Sequence, residues 1–396
     1  MRQVYPGKSL GVAKNESCNC IVALPPFLTP ANTTSHTTRL RSSQIPQFIL
    51  SHYPKAKICV TQPRRLAATG VASRVAQECG SQVGGLVGYA VKGDSAVHPT
   101  DTKILFCTIG VLLRSLSDGR GVLQNVDWLV VDEVHERSLD TDVLLGLIKR
   151  LLADRSLPNF RVCLMSATMD EDKFTKYFSP APPTIEIPGR TFPVTDFFVK
   201  EALEVTGYIP PKQRNSEKGD GSMASLIKRL DPMQIDYDLI GCLVKEIVKG
   251  RMHLEGGGSI LVFLPGLMEI VSTERGIRKI CSGVDREEFV IFQLHGGMKA
   301  QEQKKIFQSF ASKVKIVLST NVAQTSITIP DCVVVIDTCL EKQSSYDANN
   351  RMPLLLTRIC SQDALKQRRG RAGRVREGVC YKLITKKTHE ALSRHR

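Results

Sequence analysis

The chain has 396 residues, of which 42% are hydrophobic and 23% charged. That balance supports two or three cored domains and excludes wholesale disorder, collagen-like repeats and a membrane-embedded chain. Its 54 Lys+Arg against 39 Asp+Glu leave a net charge of +15, which points toward a polyanionic partner. The excess is uneven: residues 1–43 carry +4, residues 366–396 carry +9, and the long stretch between them carries only +2.

Residues 1–40 hold Thr/Ser/Asn clusters, scattered prolines and no sustained periodicity, so they are expected to be disordered or foreign to the fold. A helix is expected to begin at Ser43, in SQIPQFIL. Short β-branched runs then alternate with longer helical patterns. The first set is KICVTQP (57–63), ILFCT (104–108), WLVVDE (128–133) and VCLMSAT (162–168). PGRTFPV (188–194) has the prolines and glycine of a domain junction.

The second set is SILVFLPG (259–266), FVIFQLHG (289–296), KIVLSTN (315–321), CVVVID (332–337) and GVCYKLIT (378–385). This rhythm predicts an α/β fold of two tandem domains, each a mostly parallel sheet flanked by helices. The expected domains are 41–190 and 191–396, the second with a polar insertion at about 210–222. The twelve cysteines include no paired zinc-type units and sit mostly in apolar runs, as reduced core thiols do. No apolar run approaches the roughly 20 residues of a membrane span. The expectation is a cytoplasmic or nuclear monomer with no membrane contact.

The most informative run is WLVVDEVHER, Trp128 to Arg137. A strand that ends in adjacent carboxylates puts Asp132 and Glu133 where open α/β sheets bind ligands. Its companions, in chain order, are TQPRRLAA (61–68), FCTIGVLLR (106–114), SAT (166–168), LVFLPG (261–266), STNVAQTSITIPD (319–331) and QRRGRAGR (367–374). This ordered set resembles superfamily 2 RNA helicases of the DEAH/RHA (DExH) group, leaning to the RHA-like branch, over about residues 42 to 396.

The resemblance implies two RecA-like domains that hydrolyse ATP with Mg²⁺ and act on RNA. It implies that Asp132 holds the metal with Ser42, and that Glu133 orients and deprotonates the attacking water. Gln367 helps place that water, and Arg371 and Arg374 serve as arginine fingers. Arg74 and Phe307 match the residues that sandwich adenine, although Phe307 alone reads equally as a helix core residue. Ser166 or Thr168 meeting His135 would relay nucleotide state. RNA backbone contacts fall on Arg64, Arg65, Thr108, Arg114, Thr320, Asn321 and Thr325, residue types that also serve as strand-end caps. SSYDANNRMPLLLTRIC (344–360) matches the family's protruding β-hairpin.

The pattern breaks at the phosphate loop. G-x-x-G-x-G-K-[ST] belongs at Ser35–Ser42, where this chain reads SHTTRLRS. No glycine remains to let backbone N–H groups wrap phosphates. Arg41 stands in the lysine position, and Ser42 retains the metal-binding hydroxyl. Gly7-Lys8-Ser9 lies more than 30 residues too early to replace it. Gln324 occupies a position where the family usually has Glu, and Pro330 precedes Asp331. The family's winged-helix and accessory domains would follow beyond the 22 residues after Arg374.

Two functions follow from this pattern. One is an ATP-dependent RNA helicase impaired in this form of the chain. The other is a non-hydrolysing pseudo-helicase that binds RNA or a partner. A DNA translocase of the same superfamily is a minor third reading.

Overall fold

The computed structural model describes residues 19–20, 40–117, 125–154, 160–166, 174, 176–178, 185–186, 192–211, 222–250, 252–254, 257–283, 288–298, 306, 308, 310, 313–325 and 329–394. The expectations for most of 1–40 and for the centre of the 210–222 insertion lie outside these residues. The chain divides into two compact units, Met1–Arg190 and Thr191–Arg396. Among the described residues, no helix is long and apolar enough to cross a membrane.

The first unit contains β1 (Asn19–Cys20), α1 (Leu40–His52), β2 (Ile58–Gln62), α2 (Arg65–Glu78), β3 (Val87–Val91) and β4 (Asp94–Ala96). It continues with β5 (Ile104–Thr108), α3 (Ile109–Ser117), β6 (Trp128–Val131), α4 (Leu139–Asp154), β7 (Arg161–Leu164) and β8 (Ile185–Glu186). β1 and β8 form a small antiparallel pair. The main sheet has the order β4-β3-β5-β2-β6-β7, parallel except for the antiparallel edge strand β4.

β2 and β6 are buried at every position. A strand covered on both faces favours a continuous apolar run over alternation; WLVV supplies it, and ICV does so before the buried polar Thr61 and Gln62. Ile58, Val60, Trp128 and Val130 pack on one face under α2, and Cys59, Leu129 and Val131 pack on the other under α4. Each large apolar side chain so covered contributes ~1.5–3 kcal/mol. The helix expected from Ser43 starts three residues earlier, which puts Arg41 and Ser42 in its first turn.

The second unit contains β9 (Val194–Phe197), α5 (Val199–Thr206), α6 (Met223–Lys228), α7 (Tyr237–Gly250), β10 (Ser259–Phe263), α8 (Leu267–Ile280) and β11 (Phe289–Leu294). It continues with β12 (Val314–Ser319), α9 (Val322–Thr325), β13 (Cys332–Asp337), β14 (Leu340–Asp347), β15 (Met352–Ile359), α10 (Gln362–Arg369), β16 (Gly378–Lys382) and α11 (Lys386–Glu390). Its six-stranded sheet, β11-β12-β10-β13-β16-β9, is parallel throughout.

α7 buries Leu239, Ile240, Leu243, Val244, Ile247 and Val248, the stripe of a helix lying on a sheet. β14 and β15 form a separate antiparallel hairpin in the segment expected to be one. Its outer half exposes Tyr346, Met352 and Leu355. The Ser361 hydroxyl caps α10 by accepting from the Ala364 N–H.

Candidate active site

In the first unit the motif residues meet at the carboxyl edge of the sheet, because β2, β6 and β7 run parallel and in register. Thr61 lies beside Val131, and Val131 beside Leu164. Gln62, Asp132 and the Met165–Ser166 pair therefore follow in one row. Asp132 is 5% exposed. One of its carboxylate oxygens accepts from the Ser42 hydroxyl at 2.5 Å and from the Gln62 amide at 2.7 Å. The other accepts from the Glu133 N–H at 2.8 Å. Burial pushes the Asp132 carboxyl above its ordinary range; these three hydrogen bonds oppose that shift, and the charge of Glu136 adds to it.

A buried carboxylate beside a serine hydroxyl is a hard-oxygen pair, the donor type that Mg²⁺ takes, so these residues fit that ion. Gln62 escaped the sequence reading. Its place in TQP marked a strand end, and nothing in its residue type announced a partner 70 positions away.

Past Asp132 the chain makes a tight 3₁₀ turn, Val134–Glu136. It is flanked by two non-glycine residues in the left-handed region, Glu133 at φ 54° and Arg137 at φ 47°. Such residues cost roughly 1–2 kcal/mol each and persist where neighbours hold them. The neighbours are visible. The Val134 N–H donates to the Met165 carbonyl at 3.1 Å. Arg137 makes a two-pronged pair with Asp142 at 2.7 and 3.0 Å. Arg64 lies 3.6 Å from Glu136.

His135 stands between Glu133, 3.4 Å from its carboxylate, and the Ser166 hydroxyl at 3.2 Å. Ser166 is the SAT residue that the structure brings to His135; Thr168 lies outside the described residues.

The other first-unit candidates are more dispersed. Thr108 ends β5, half-buried, while Arg65 and Arg114 are exposed. Arg74 pairs with Glu78 one helical turn away at 2.7 Å. The side chain of Arg41 lies outside the described residues.

In the second unit, Gln324 is the centre of the site. Its side-chain carbonyl accepts from Arg368 Nε at 3.2 Å, and its amide donates to the Gln367 carbonyl oxygen at 3.0 Å. Its backbone carbonyl accepts from the Arg371 guanidinium. The Gln that departs from the family pattern thus ties together three residues of QRRGRAGR.

Arg368 is fully buried. It donates to Asp337 at 2.9 Å and to the Leu340 carbonyl at 3.2 Å, lies 3.6 Å from Glu341, and stacks 5.0 Å from the Phe263 ring centre. Burial works against its charge, but Asp337 and Glu341 outweigh it and hold the guanidinium above its ordinary value. Of the two glycines within QRRGRAGR, Gly373 allows close packing: a Cβ there would sit 2.5 Å from the Phe192 carbonyl oxygen. Gly370 has no comparable restriction.

Thr320 and Asn321 follow β12, half-buried, at the same edge. Phe307 and the side chain of Thr325 lie outside the described residues. Lys382, outside the arginine-rich motif, is buried. It pairs with Asp196 at 3.1 Å and lies over the Phe198 ring, because β16 runs beside β9 and carries it inward.

The family model described as DEAD/DEAH box helicase matches residues 37–176, and that described as helicase conserved C-terminal domain matches residues 239–376. The chain belongs to the DEAD/DEAH-box helicases. It is 38% identical over 395 residues to the DExH-box ATP-dependent RNA helicase DExH1 of Arabidopsis thaliana, covering 90% of this chain and 39% of that protein. It is 37% identical over 351 residues to the ATP-dependent RNA helicase DHX30 of Gallus gallus, covering 87% of this chain and 27% of that protein.

Among solved structures, the crystal structure of the Escherichia coli DEAH/RHA helicase HrpB matches with a TM-score of 0.74 and 28% identity. That match covers 92% of this chain and 41% of that one. The two parallel sheets are therefore the tandem RecA-like domains of this helicase family. The chain spans between about a quarter and two-fifths of the length of the relatives named here.

Proposed function

We infer that the chain forms the motor core of an ATP-dependent RNA helicase, coupling ATP hydrolysis to movement along RNA. The observation that carries this reading is the arrangement around Asp132. A buried carboxylate, a serine hydroxyl and a glutamine amide that both donate to it lie beside a second carboxylate, Glu133, which meets His135.

In this reading Asp132 and Ser42 hold the Mg²⁺ that arrives with ATP, and the ion supplies neutralisation of phosphate charge. Gln62 keeps the Asp132 carboxylate oriented. Glu133 accepts a proton from the attacking water, and the turn around His135 fixes where that carboxylate points. Gln367 positions water, and Arg371 and Arg374 stabilise charge on the transferring phosphoryl group. Arg64, Arg65, Thr108, Arg114, Thr320, Asn321 and Thr325 hold the RNA backbone without reading its bases.

SHTTRLRS at Ser35–Ser42 fits phosphates poorly, and it favours a second reading, a non-hydrolysing module that binds RNA or a partner. One experiment separates the two. ATP turnover is measured with and without RNA in this chain and in S35G/T38G/L40G/R41K, which restores the loop. A motor core is feeble as written and gains RNA-stimulated turnover on the order of 10²-fold on restoration, the scale of lost oxyanion donors. No turnover in either form leaves the binding module.

A further inference from the structure

Gln324, buried on α9, stands against two neighbouring side chains of α10 and turns one end of its amide to each. Its side-chain oxygen lies 3.2 Å from Arg368 Nε, and its side-chain nitrogen lies 3.0 Å from the Gln367 side-chain oxygen. We propose that Gln324 fixes the polarity of Gln367, holding its carbonyl oxygen toward α9 and turning its NH₂ away. The end that Gln367 offers to ATP is then a donor for phosphate oxygen, where a water-holding site would offer an acceptor. This rests on the reading that Gln367 acts beside the transferring phosphoryl group.

The two ends of an amide have nearly the same shape, so their neighbours decide which is which. An arginine Nε–H only donates, so Gln324 faces Arg368 with its carbonyl oxygen. The NH₂ of Gln324 is left for Gln367, and a donor there meets an acceptor, which in Gln367 is the carbonyl oxygen. Arg368 has no room to reverse this order. It is fully buried, donates to Asp337 at 2.9 Å and to the Leu340 carbonyl at 3.2 Å, and lies 3.6 Å from Glu341.

The NH₂ of Gln367, whatever else it meets, points away from Gln324, because the two ends of a planar amide diverge. A carboxylate at position 324 would have two acceptors and no donor. One oxygen would take the Arg368 Nε–H, and Gln367 would turn its NH₂ to the other. An attacking water must keep a lone pair for phosphorus. A carbonyl holds that water by its hydrogen, whereas an NH₂ occupies the lone pair or binds a phosphate oxygen. Gln324 is thus a positioning residue that acts through Gln367.

Two readouts test this, one of them independent of turnover. In proton–nitrogen correlation spectra of the isotope-labelled chain, the Gln367 side-chain NH₂ is the pair of signals lost in Q367E. Q324E is expected to move that pair downfield, as the NH₂ comes to donate to a carboxylate. A pair that stays in place overturns the proposal. ATP turnover with RNA is then compared in S35G/T38G/L40G/R41K with and without Q324E. The added substitution should raise kcat about three- to tenfold with KM for ATP unchanged, short of the roughly 10²-fold that misplacing a reacting group costs. Q324M can neither accept nor donate, so it releases Gln367 without turning it and should not give this gain. An equal gain from Q324M, or no gain from Q324E, overturns the proposal. Absence of turnover in both restored chains while the Gln367 signals move overturns the motor reading and the catalytic consequence, and upholds the polarity.

Discussion

Arg368 shows why residue type alone misleads in an arginine-rich motif. QRRGRAGR reads as a run of phosphate-binding guanidinium groups, yet Arg368 is fully buried and spends its charge on Asp337 and Glu341. Nothing in the linear run distinguishes it from Arg371 or Arg374, because the distinction comes from α10 turning that position inward. A charge held this way is costly to break: removing one partner strands the others in low dielectric, at about 3–5 kcal/mol. R368M is therefore expected to lower the urea midpoint of the chain sharply, as followed by far-ultraviolet circular dichroism. Neutralising the stranded acids in R368M/D337N/E341Q should recover more than half of that loss. If the triple variant is less stable still, the pairing is not what Arg368 contributes.

At the scale of elements, the strands that build the two sheets were legible because a parallel strand buried on both faces must be an uninterrupted apolar run. CVVVID and ILFCT coincide with β13 and β5, and WLVVDE and SILVFLPG overshoot β6 and β10 only where motif residues take over at the carboxyl edge. β3, β4 and β9 were not read. VGYAV carries a glycine, DSA is largely exposed, and VTDF is a half-exposed edge strand that begins on the last residue of what reads as a junction.

The hairpin was hard to read for another reason. Its turn is stabilised by side chains rather than by an Asn-Gly pair. Asp347 accepts from the Asn350 side-chain amide at 2.7 Å, and from the backbone N–H groups of Asn350 and Asn349 at 3.2 and 2.9 Å; these hydrogen bonds, the side-chain one foremost, lower its carboxyl pKa. A depressed carboxyl contributes above its unfolded value and loses that contribution as pH falls through the folded one, so the turn should loosen in acid. Arg351 closes the loop at φ 52°. R351G should slow hydrogen exchange across β14 and β15 about two- to fivefold, since glycine removes a left-handed penalty and returns part of it as chain entropy. R351P cannot adopt positive φ and should speed exchange. The same direction in both variants would mean that this residue does not govern the turn.

For the whole molecule, the net charge of +15 overstates what an RNA strand feels. The C-terminal excess is partly turned inward: Arg368 faces Asp337 and Glu341, while Arg369 and Lys382 share Asp196. The guanidinium groups assigned to RNA are three, Arg64, Arg65 and Arg114. Neutralising a phosphate of a single strand releases about 0.7 of a counterion, so three contacts give a slope of about −2 for log affinity against log salt. A diffuse field using most of the excess would give a slope several times steeper. Salt titrations of single-stranded RNA binding by fluorescence anisotropy separate these cases. R65Q should shrink the slope by about 0.7. K386Q/K387Q, which removes two exposed charges of the same C-terminal cluster, should leave it unchanged. A steep slope that falls with K386Q/K387Q and ignores R65Q would return the interaction to the global field and remove Arg65 from the RNA contact.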